Sequence, residues 1–397
     1  MSTIRAVRHI NESRVLAALL RQGGMSRADL ARELGVTRAT ASSIVSSLAE
    51  IGFVEDETDM SAEREKRTGR PGTMVRLRAD HAIFLGVDIA IDHISLAAID
   101  MNAKIIAQDR IACDCARLPL DDLCALIGRQ IRKFTQRLAS PDAVQGLNVV
   151  VPGPVDQNGN VVRAPLLGWQ NVPLRRLLGA HLGSLPVTNL ENDANAFAIA
   201  EMHRSRRDDL LDAVYLFIED GVGGCIVNGG NLLRGHDGSA GEMGHIIVGD
   251  GGFLASALIK GSLEGYVSRP ALLARYQFHG GQAASLVGFL AALANDERSA
   301  RLAASDWSHY LGRGLATLVS VVNPERIVLG GQAAAVFAHT RAEVQASIRA
   351  HLLPGAKVTP IDLSTMGDEA PAFGAALMHH RQFFAIDNAL VFGAGAS

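Results

Sequence analysis

The first fifty residues alternate apolar and polar positions with the 3.6-residue period of helices. A first helix is predicted over Asn11–Gln22, where four apolar residues recur at helical spacing. Ser26 and Asp29 form a capping-box pattern that begins a second helix, and Gly35 ends it. A third helix is predicted to follow Thr37. Its inward face would consist of Ala41, Ile44, Val45 and Leu48.

The turn between the second and third helices is short and contains glycine. Two short helices joined in this way are typical of a helix–turn–helix DNA-binding motif, whose second helix enters the major groove by its N-terminal end. Arginine at that end can reach guanine or phosphate, and hydroxyl groups can bond bases or backbone. A small helical bundle of another purpose is the alternative. The candidate DNA contacts in this segment are Ser26, Thr37, Arg38, Thr40, Ser42 and Ser43.

The pattern then changes to the two-residue period of strands. Phe53 begins one strand and residues 73–78 form another, which predicts a hairpin of the kind called a wing. Its basic tip contains a Gly-Arg-Pro step, where proline restricts the backbone and holds Arg70 out toward an A·T-rich minor groove. Arg67 and Arg70 are therefore further candidate DNA contacts. For the Gly-Arg-Pro step, a solvated interdomain linker is the alternative.

Composition and charge narrow the class of protein. With 397 residues the chain is long enough for two or three domains, and 48% hydrophobic residues exclude a mostly disordered chain. Residues 1–80 carry a net charge of +2 and the remainder −5, which indicates a polyanion contact confined to one end. No apolar run reaches the roughly 18 residues of a membrane span, and the four cysteines form no CxxC pair. We therefore expect a cytoplasmic protein with reduced cysteines and no membrane association.

The remaining three hundred residues contain one arrangement twice. A strand with an acidic end, followed by a hairpin, occupies residues 83–107 and returns at residues 215–233. Helical material lies between the two copies, which predicts a duplicated, two-lobed α/β protein with a ligand cleft between the lobes. The predicted domains are residues 1–80 for the DNA-binding head, 81–200 with 376–397 for the first lobe, and 201–375 for the second.

Polar side chains cluster at the ends of these elements. Asn192 and Asp193 follow a short strand and open a helix, where a carboxamide beside a carboxylate can grip neighbouring hydroxyls of a sugar. The alternative is that both residues only cap the helix. Glu242 and His245 stand three residues apart after a glycine loop, and Glu264 adds a further carboxylate. These five residues are the candidate ligand-binding set.

Residues 81–380 resemble the ROK family of sugar kinases and sugar-responsive repressors. The resemblance rests on seven motifs in order: Pro152-Gly-Pro-Val-Asp156, Gly168-Trp169, Glu191-Asn-Asp-Ala-Asn195, Asp220-Gly-Val-Gly-Gly224, Ala240-Gly-Glu-Met-Gly-His245, Leu263-Glu-Gly-Tyr266 and Asn323-Pro-Glu-Arg-Ile-Val-Leu-Gly-Gly331. With the head, the whole chain resembles the repressor branch. The resemblance implies a winged helix–turn–helix followed by a two-lobed, actin-like and hexokinase-like ATPase fold, with a sugar bound at the five candidate residues. In the kinases of this family a catalytic base stands at the position of Asp193.

The chain departs from the kinases of this family at the first hairpin. Their Asp-x-Gly-Gly-Thr loop holds the phosphates of ATP, whereas the sequence here is Asp88-Ile-Ala-Ile-Asp92. Bulk at Ala90 and Ile91 and negative charge at Asp92 both oppose a bound phosphate. We therefore expect no enzymatic activity and assign no catalytic residue.

Two further departures concern metal and sugar. Zinc-binding members of the family carry three cysteines where this chain has Ala255, Ala257 and Ser262, so we expect no zinc, no other metal and no cofactor. Apolar packing by the Phe253–Leu254 and Leu258–Ile259 pairs would replace the metal. Leu166 stands where an asparagine is common, which would alter the contacts to the sugar.

Together these features predict a DNA-binding transcriptional regulator of carbohydrate metabolism, most simply a repressor. Its partners would be a double-stranded DNA operator and a sugar effector. A homodimer or homotetramer is expected, because two recognition helices about 34 Å apart match successive major grooves. Two alternatives stay open: an active sugar kinase with an appended DNA-binding head, and a regulator that has lost sugar sensing and responds to a protein partner.

Overall fold

The computed structural model describes residues 3–57, 73–205, 211–236, 238–254 and 259–384. The head contains three helices, α1 (Thr3–Gln22), α2 (Arg27–Leu34) and α3 (Arg38–Glu50). The first helix begins eight residues before the predicted start at Asn11. No glycine or proline stands between Thr3 and Asn11 to interrupt it, so the helix continues toward the N-terminus.

The ends of α2 and α3 form as their sequences predict. The Ser26 hydroxyl accepts a hydrogen bond from the backbone N–H of Asp29 (3.1 Å), and Gly35 ends α2 in the left-handed conformation. Thr37 caps α3 by accepting from the N–H of Thr40 (3.1 Å). The predicted inward face of α3 is buried in full. These caps fix the angle between the two helices.

A small antiparallel sheet completes the head. Its strands are β1 (Met25–Ser26), β2 (Val54–Glu57) and β3 (Met74–Leu77), with β3 in the centre. The β2–β3 pair is the predicted wing. The tip of this wing, including Arg67 and Arg70, lies outside the described residues.

The first lobe is built on a five-stranded sheet of order β10-β7-β4-β5-β6. Its strands are β4 (Ile83–Ile89), β5 (His93–Ile99), β6 (Ile105–Ala112), β7 (Val144–Val151) and β10 (Val187–Asn192). Helices α4 (Leu120–Gln136) and α5 (Leu174–Leu182) and a hairpin of β8 (Val161–Ala164) with β9 (Trp169–Val172) pack against the sheet. Strands β4 and β7 are parallel and buried throughout the paired region, so β4 reads as a continuous apolar run.

The second lobe repeats this topology. Its sheet has the order β15-β14-β11-β12-β13, with the same sequence of parallel and antiparallel pairs as the first. The strands are β11 (Ala213–Ile218), β12 (Val222–Asn228), β13 (Asn231–Leu232), β14 (Arg326–Gly330) and β15 (Ile361–Leu363). The helices are α7 (Glu264–Val267), α8 (Arg269–Phe278), α9 (Leu286–Ala294), α10 (Arg298–Val322) and α11 (Val336–His351). The predicted duplication is thus present in the fold.

Two helices cross between the lobes. Helix α6 (Asp193–Ser205) follows the first sheet but also packs on β11 and β12, whereas α12 (Ala370–Phe384) follows the second sheet and packs on β4, β5 and β7. The two helices contact each other closely: a Cβ on Gly374 would lie 1.9 Å from the carbonyl oxygen of Ala196. The predicted boundaries at residues 200 and 376 both fall inside these helices. The segment that returns to the first lobe therefore begins at Ala370.

Aromatic side chains join the head to the first lobe. The ring of Phe53, just before the wing, stacks on Phe383 of α12 at a centroid distance of 6.0 Å. Phe383 in turn meets Phe84 of β4 at 5.2 Å. One apolar cluster consequently runs from the head through α12 to α6 and β11. Within the described part of the chain, no helix is both long and apolar enough to cross a membrane.

Candidate ligand-binding cleft and DNA-contacting surface

A cleft of about 1020 Å³, open mouth included, lies between the two lobes. The five predicted ligand-binding residues all line it: Asn192, Asp193, Glu242, His245 and Glu264. They arrive from three separate parts of the chain. The fold therefore brings into one cleft five residues that come from distant segments of the sequence and were predicted together to bind a ligand.

Hydrogen bonds fix the start of α6 at one wall of the cleft. The side-chain oxygen of Asn192 accepts from the backbone N–H groups of Ala194 (2.9 Å) and Asn195 (3.2 Å). Behind it, Glu191 accepts from the Asn192 N–H (2.9 Å) and from the Asn195 amide (3.0 Å), and it pairs with Arg234. The capping alternative is thus correct for the oxygen of Asn192. Its NH₂ group, on the other side of the amide, is the part that a ligand can use.

Asp193 is the first residue of α6 and projects into the same wall. One of its oxygens accepts from the N–H of Ala194 (2.8 Å). Burial raises the pKa of Asp193 to about 7, and the negative charge of Glu242 adds to the effect. Near neutral pH this carboxyl therefore exists both as acceptor and as donor of a hydrogen bond.

The opposite wall carries His245 between two carboxyl groups. His245 Nε2 lies 3.4 Å from an oxygen of Glu242, and its Nδ1 is buried with no hydrogen-bond partner in the described part of the chain. Glu264 is buried and accepts from the N–H of Val222 (3.1 Å). Burial raises the pKa of Glu264. The two walls together offer donors and acceptors on both sides of a space, an arrangement suited to several hydroxyl groups of one small molecule.

The sequence analysis missed several residues of the cleft. Burial raises the pKa of Asp88 well above its usual range, with the charges of Asp193 and Glu219 adding to it, and burial also raises the pKa of Glu219 to about 8. Both residues stand at the acidic strand ends of the duplicated pattern, and that position in the sequence could have identified them as residues of the cleft. Arg269 also lines the cleft, but no motif marks it. Burial thus favours the neutral form of both carboxyls, which makes this part of the cleft less negative than its composition suggests.

The turn between β4 and β5 carries the residues that the sequence analysis set against a phosphate site, Ala90, Ile91 and Asp92. The N–H of Ala90 donates to the carbonyl of His93 (3.0 Å) and so closes the turn on itself. The Asp92 carboxylate lies 2.6 Å from His93 Nδ1 and 3.6 Å from the guanidinium of Arg269. A fixed negative charge therefore stands at the mouth of the cleft on this side.

The residues at the family's zinc position do not fit a zinc ion. Ser262 is buried and its hydroxyl accepts from the N–H of Gly265 (3.3 Å), while Ala255 and Ala257 lie outside the described residues. Phe253 packs edge-on against Tyr266 (4.9 Å) and Tyr310 (5.4 Å). Phe253 thus packs among aromatic rings, whereas Ile259 is 40% exposed and adds little packing; that packing replaces a metal stays a prediction. Among the residues that the structure describes, no group of three metal-ligating side chains is close enough to hold an ion.

Five of the DNA-contacting candidates lie at the start of α3 or directly before it. Thr37, Arg38, Thr40 and Ser43 are exposed at the N-terminal half of α3, and Ser42 is half-buried beside them. The hydroxyl of Ser26 is already bonded to Asp29, so its primary part is to cap α2.

Neighbouring arginines of the head are used in ion pairs. Arg27 pairs with Asp56 (2.9 Å) and Arg21 with Glu33 (2.7 Å). By contrast, Arg38 makes no ion pair within the described chain. It is therefore the cation of α3 that is available to DNA, and its use as a DNA contact stays a prediction.

Comparisons with known proteins agree with this architecture. A model of the ROK family matches residues 84–382, about three quarters of the chain. The chain belongs to the ROK family. A MarR family model matches residues 9–65 of this ROK protein, which include α2 and α3. The chain thus combines a MarR-type winged head with a ROK domain.

Several relatives of this ROK protein are repressors and others are kinases. The xylose repressor of Caldicellulosiruptor bescii is 28% identical over 345 residues, which cover 82% of this chain and 84% of that protein. The glucokinase of Halalkalibacterium halodurans is 28% identical over 323 residues, 75% of this chain and 95% of the enzyme. A solved ROK family transcriptional regulator, a homologue of the Escherichia coli Mlc protein, has a TM-score of 0.77. It is 24% identical and covers 98% of this chain and 100% of its own. The fold is therefore shared over nearly the whole length.

Proposed function

We propose that this ROK protein is a DNA-binding repressor of sugar metabolism that releases its operator when a sugar binds in the cleft. The observation that carries the proposal is physical continuity between the two sites. Asp193 of the cleft is the first residue of α6, α6 packs on α12, and α12 meets the head through Phe383 and Phe53. The repressor names of relatives that align beyond the ROK domain support the same conclusion.

The mechanism follows from thermodynamic linkage. A sugar that binds better to one arrangement of the lobes shifts the population toward it, because only a difference in affinity between states can move the equilibrium. A change in lobe closure moves α6 relative to the first sheet, and α12 transmits that movement to the head. In a dimer or tetramer the spacing of the two recognition helices would then no longer match successive major grooves, about 34 Å apart.

The sugar class follows from the lining of the cleft. Protonated or hydrogen-bonded carboxyls, the Asn192 amide and the His245 ring bind neutral hydroxyl groups better than a second negative charge. A neutral aldose, such as the pentose named for the repressor relatives, fits this lining. We propose that neither a metal nor a cofactor takes part in binding.

The test uses DNA selection followed by sugar titration. Duplexes enriched from a randomised library by the full-length protein serve as the operator in fluorescence anisotropy, with D-xylose and D-glucose added to the complex. We expect one sequence class to be enriched and one sugar to release it. If the library yields no preferred sequence, the DNA-binding part of the proposal is wrong. If a preferred sequence is found but neither sugar releases it, the sugar-sensing part is wrong.

Arg38→Ala connects this test to the structure. Loss of Arg38 should weaken operator binding by about 1 to 3 kcal/mol and relax the sequence preference, since a bidentate contact to guanine is lost. Arg21→Ala is the matched control, because it removes an exposed arginine of the same head that is paired with Glu33. Equal affinities of the two variants at one fixed salt concentration would contradict the assignment of Arg38.

A sugar kinase with a DNA-binding head is the second candidate. The pKa of Asp193, raised by burial to about 7, suits a general base and favours this alternative. The closed Ala90 turn and the Asp92 charge oppose it, because phosphoryl transfer depends on positioning and neutralising phosphate. Negligible phosphorylation of D-xylose and D-glucose with ATP and Mg²⁺ is the expected outcome. Sustained turnover of either sugar would make the kinase function correct.

A further inference from the structure

Arg269 faces the cleft from the first turn of α8 in the second lobe. Its guanidinium forms an ion pair with Asp220 of the same lobe, in which Nη2 lies 2.6 Å from both carboxylate oxygens. The same Nη2 lies 3.6 Å from Oδ2 of Asp92, in the turn between β4 and β5 of the first lobe. One arginine thus spans the cleft between a carboxylate of each lobe.

A second crossing runs through Gln332, which follows β14 of the second lobe. Its side-chain oxygen accepts from Arg269 Nη1 (3.3 Å), and its side-chain NH₂ donates to Asp368 (2.6 Å). Asp368 precedes α12 and pairs with Arg110 of β6, which belongs to the first sheet. The lobes are therefore joined twice at the same end of the cleft.

The two crossings meet at His93 of the first lobe. His93 Nδ1 lies 2.6 Å from Asp92 Oδ1 and 3.3 Å from Arg110 Nη2. Nδ1 cannot donate to Asp92 and accept from Arg110 at the same time, so Arg110 lies beside the His93 ring without a hydrogen bond to it when Asp92 is bonded. The side chains of Asp92, His93, Arg110, Asp368, Gln332 and Arg269 therefore form a ring of polar contacts across the cleft. Burial opposes ionisation of Asp92, but the His93 bond and the two arginine charges outweigh it and lower its pKa. Asp92 is thus a carboxylate at neutral pH.

The ring lines the same cleft as the residues that would grip the sugar but, within the described chain, is not bonded to them. Asn192, Asp193, Glu242, His245 and Glu264 make no hydrogen bond to a ring member among the described residues. Asp92 is also half exposed, with 54% of its side chain accessible, so its contact with Arg269 is open to solvent and salt. A contact of this kind is suited to opening and closing, whereas a fully buried pair would lock the lobes.

We propose that the Asp92–Arg269 pair is a latch that holds the two lobes together, which makes Asp92 a positioning residue for effector binding. The effector part rests on the proposed sugar-binding function. An exposed ion pair is weak alone, but the apparent affinity of a ligand for the closed form scales with the fraction of molecules that are closed. Loss of the latch should therefore weaken sugar binding without removing any contact to the sugar.

The experiment compares the full-length wild type with Asp92→Ala. The dissociation constants of D-xylose and D-glucose are measured by calorimetry, and the sugar-free protein is examined by small-angle X-ray scattering and amide hydrogen exchange. For Asp92→Ala we expect about threefold to tenfold weaker binding of whichever sugar the wild type binds. We also expect a larger radius of gyration and faster exchange at residues 219–223 in the absence of sugar.

Two controls separate a latch from a merely structural effect. Asp109→Ala removes a carboxylate of β6 that pairs with Arg137, the residue after α4 (2.7 Å), inside the first lobe, and it should change none of these readouts. Sodium formate supplies a small carboxylate that can occupy the space left in Asp92→Ala. At constant ionic strength, formate but not chloride should restore the compact form and the sugar affinity.

The outcomes are distinct. If Asp92→Ala matches Asp109→Ala in scattering and exchange, or if chloride restores the compact form as well as formate does, the latch is wrong. If the wild type binds neither sugar, the proposed function fails, whereas the scattering and exchange measurements still decide on the latch. Asp92→Asn, which keeps the size of the side chain and removes its charge, should behave like Asp92→Ala. Because asparagine fills the same space as aspartate, an effect shared by both variants cannot come from the space that Asp92→Ala leaves empty.

Discussion

The turn after β4 and the turn after β11 occupy equivalent positions in the two lobes, and each has a carboxylate near Arg269, but they pack differently. The first carries Ala90, Ile91 and Asp92, and it faces the other lobe with a charge. The second carries Gly221, and Gly223 follows it in β12; their lack of a side chain lets Glu264 and Ala194 approach the backbone closely. The turn of the second lobe thus packs closely against its neighbours, whereas the turn of the first lobe places Asp92 against Arg269 of the other lobe.

Asp193→Asn gives the strongest test of the ligand side of this comparison. We expect sugar affinity to fall about tenfold to hundredfold, because a hydrogen bond to a charged acceptor is lost while the size of the side chain is kept. DNA binding without sugar should be unchanged, which anisotropy measures on the same sample. If Asp193→Asn binds sugar as tightly as the wild type does, the sugar does not contact Asp193 and binds elsewhere.

Gly221→Ala tests the packing on the second turn. A Cβ there would lie 2.9 Å from an oxygen of Glu264 and from a methyl of Leu166. Since both are flexible side-chain ends, the protein should fold, but the displaced Glu264 should weaken sugar binding about threefold to tenfold. Ala90→Gly, at the equivalent turn, is the control and should leave the affinity unchanged. If both variants bind alike, the two turns are not functionally different.

The pH dependence of stability tests the buried carboxyl. Because the pKa of Asp193 is about 7 when folded and near 3.8 when exposed, the folded protein holds its proton more tightly. Its contribution to stability therefore falls as pH rises from about 4 toward 7. At pH 8 Asp193→Asn should melt a few degrees above the wild type, and the difference should shrink toward pH 4. Scanning calorimetry over this range measures it, and a constant difference would argue against a buried carboxyl.

The smallest effect is expected from metal removal. A chelator should leave the melting temperature unchanged, since Ser262 is bonded to Gly265 and no thiolate stands beside it. Phe253→Ala is the positive comparison and should lower the melting temperature, because it removes the ring that packs edge-on against Tyr266 and Tyr310. One equivalent of zinc in the purified protein would overturn this expectation.

Local features of the sequence predicted local structure well. The caps at Ser26 and Thr37 and the inward face of α3 depend on neighbours a few residues away, and the duplicated hairpins are visible as a repeated pattern. The extent of α12 and its position on the first sheet were not predictable in this way. Its packing depends on Gly86 and Gly374, whose partners lie about 290 and 180 residues away. Long-range contact of this kind leaves no local pattern.

The same difference between local sequence patterns and long-range contacts applies to the residues of the cleft. Five of its lining residues could be named from the sequence, because chemistry-bearing residues cluster in short motifs around Asn192 and His245. The ring of polar contacts could not be predicted, because Arg269, Gln332 and Asp368 are single polar residues without a motif. Their role depends on which lobe each belongs to, and that follows only from the topology.

The crossing of α12 from one lobe to the other also sets a mechanical scale. A helix of 15 residues is about 22 Å long. If the lobes pivot where Gly374 touches α6, a rotation of about 10° carries the far end of α12 through roughly 2 Å, in proportion to its distance from the pivot. The aromatic contact at Phe383 passes this displacement to the base of the wing, and the distance from there to the DNA enlarges it again. If the cleft and the head are coupled in this way, a movement of a few ångströms at a bound ligand would become a larger movement at the DNA-binding surface.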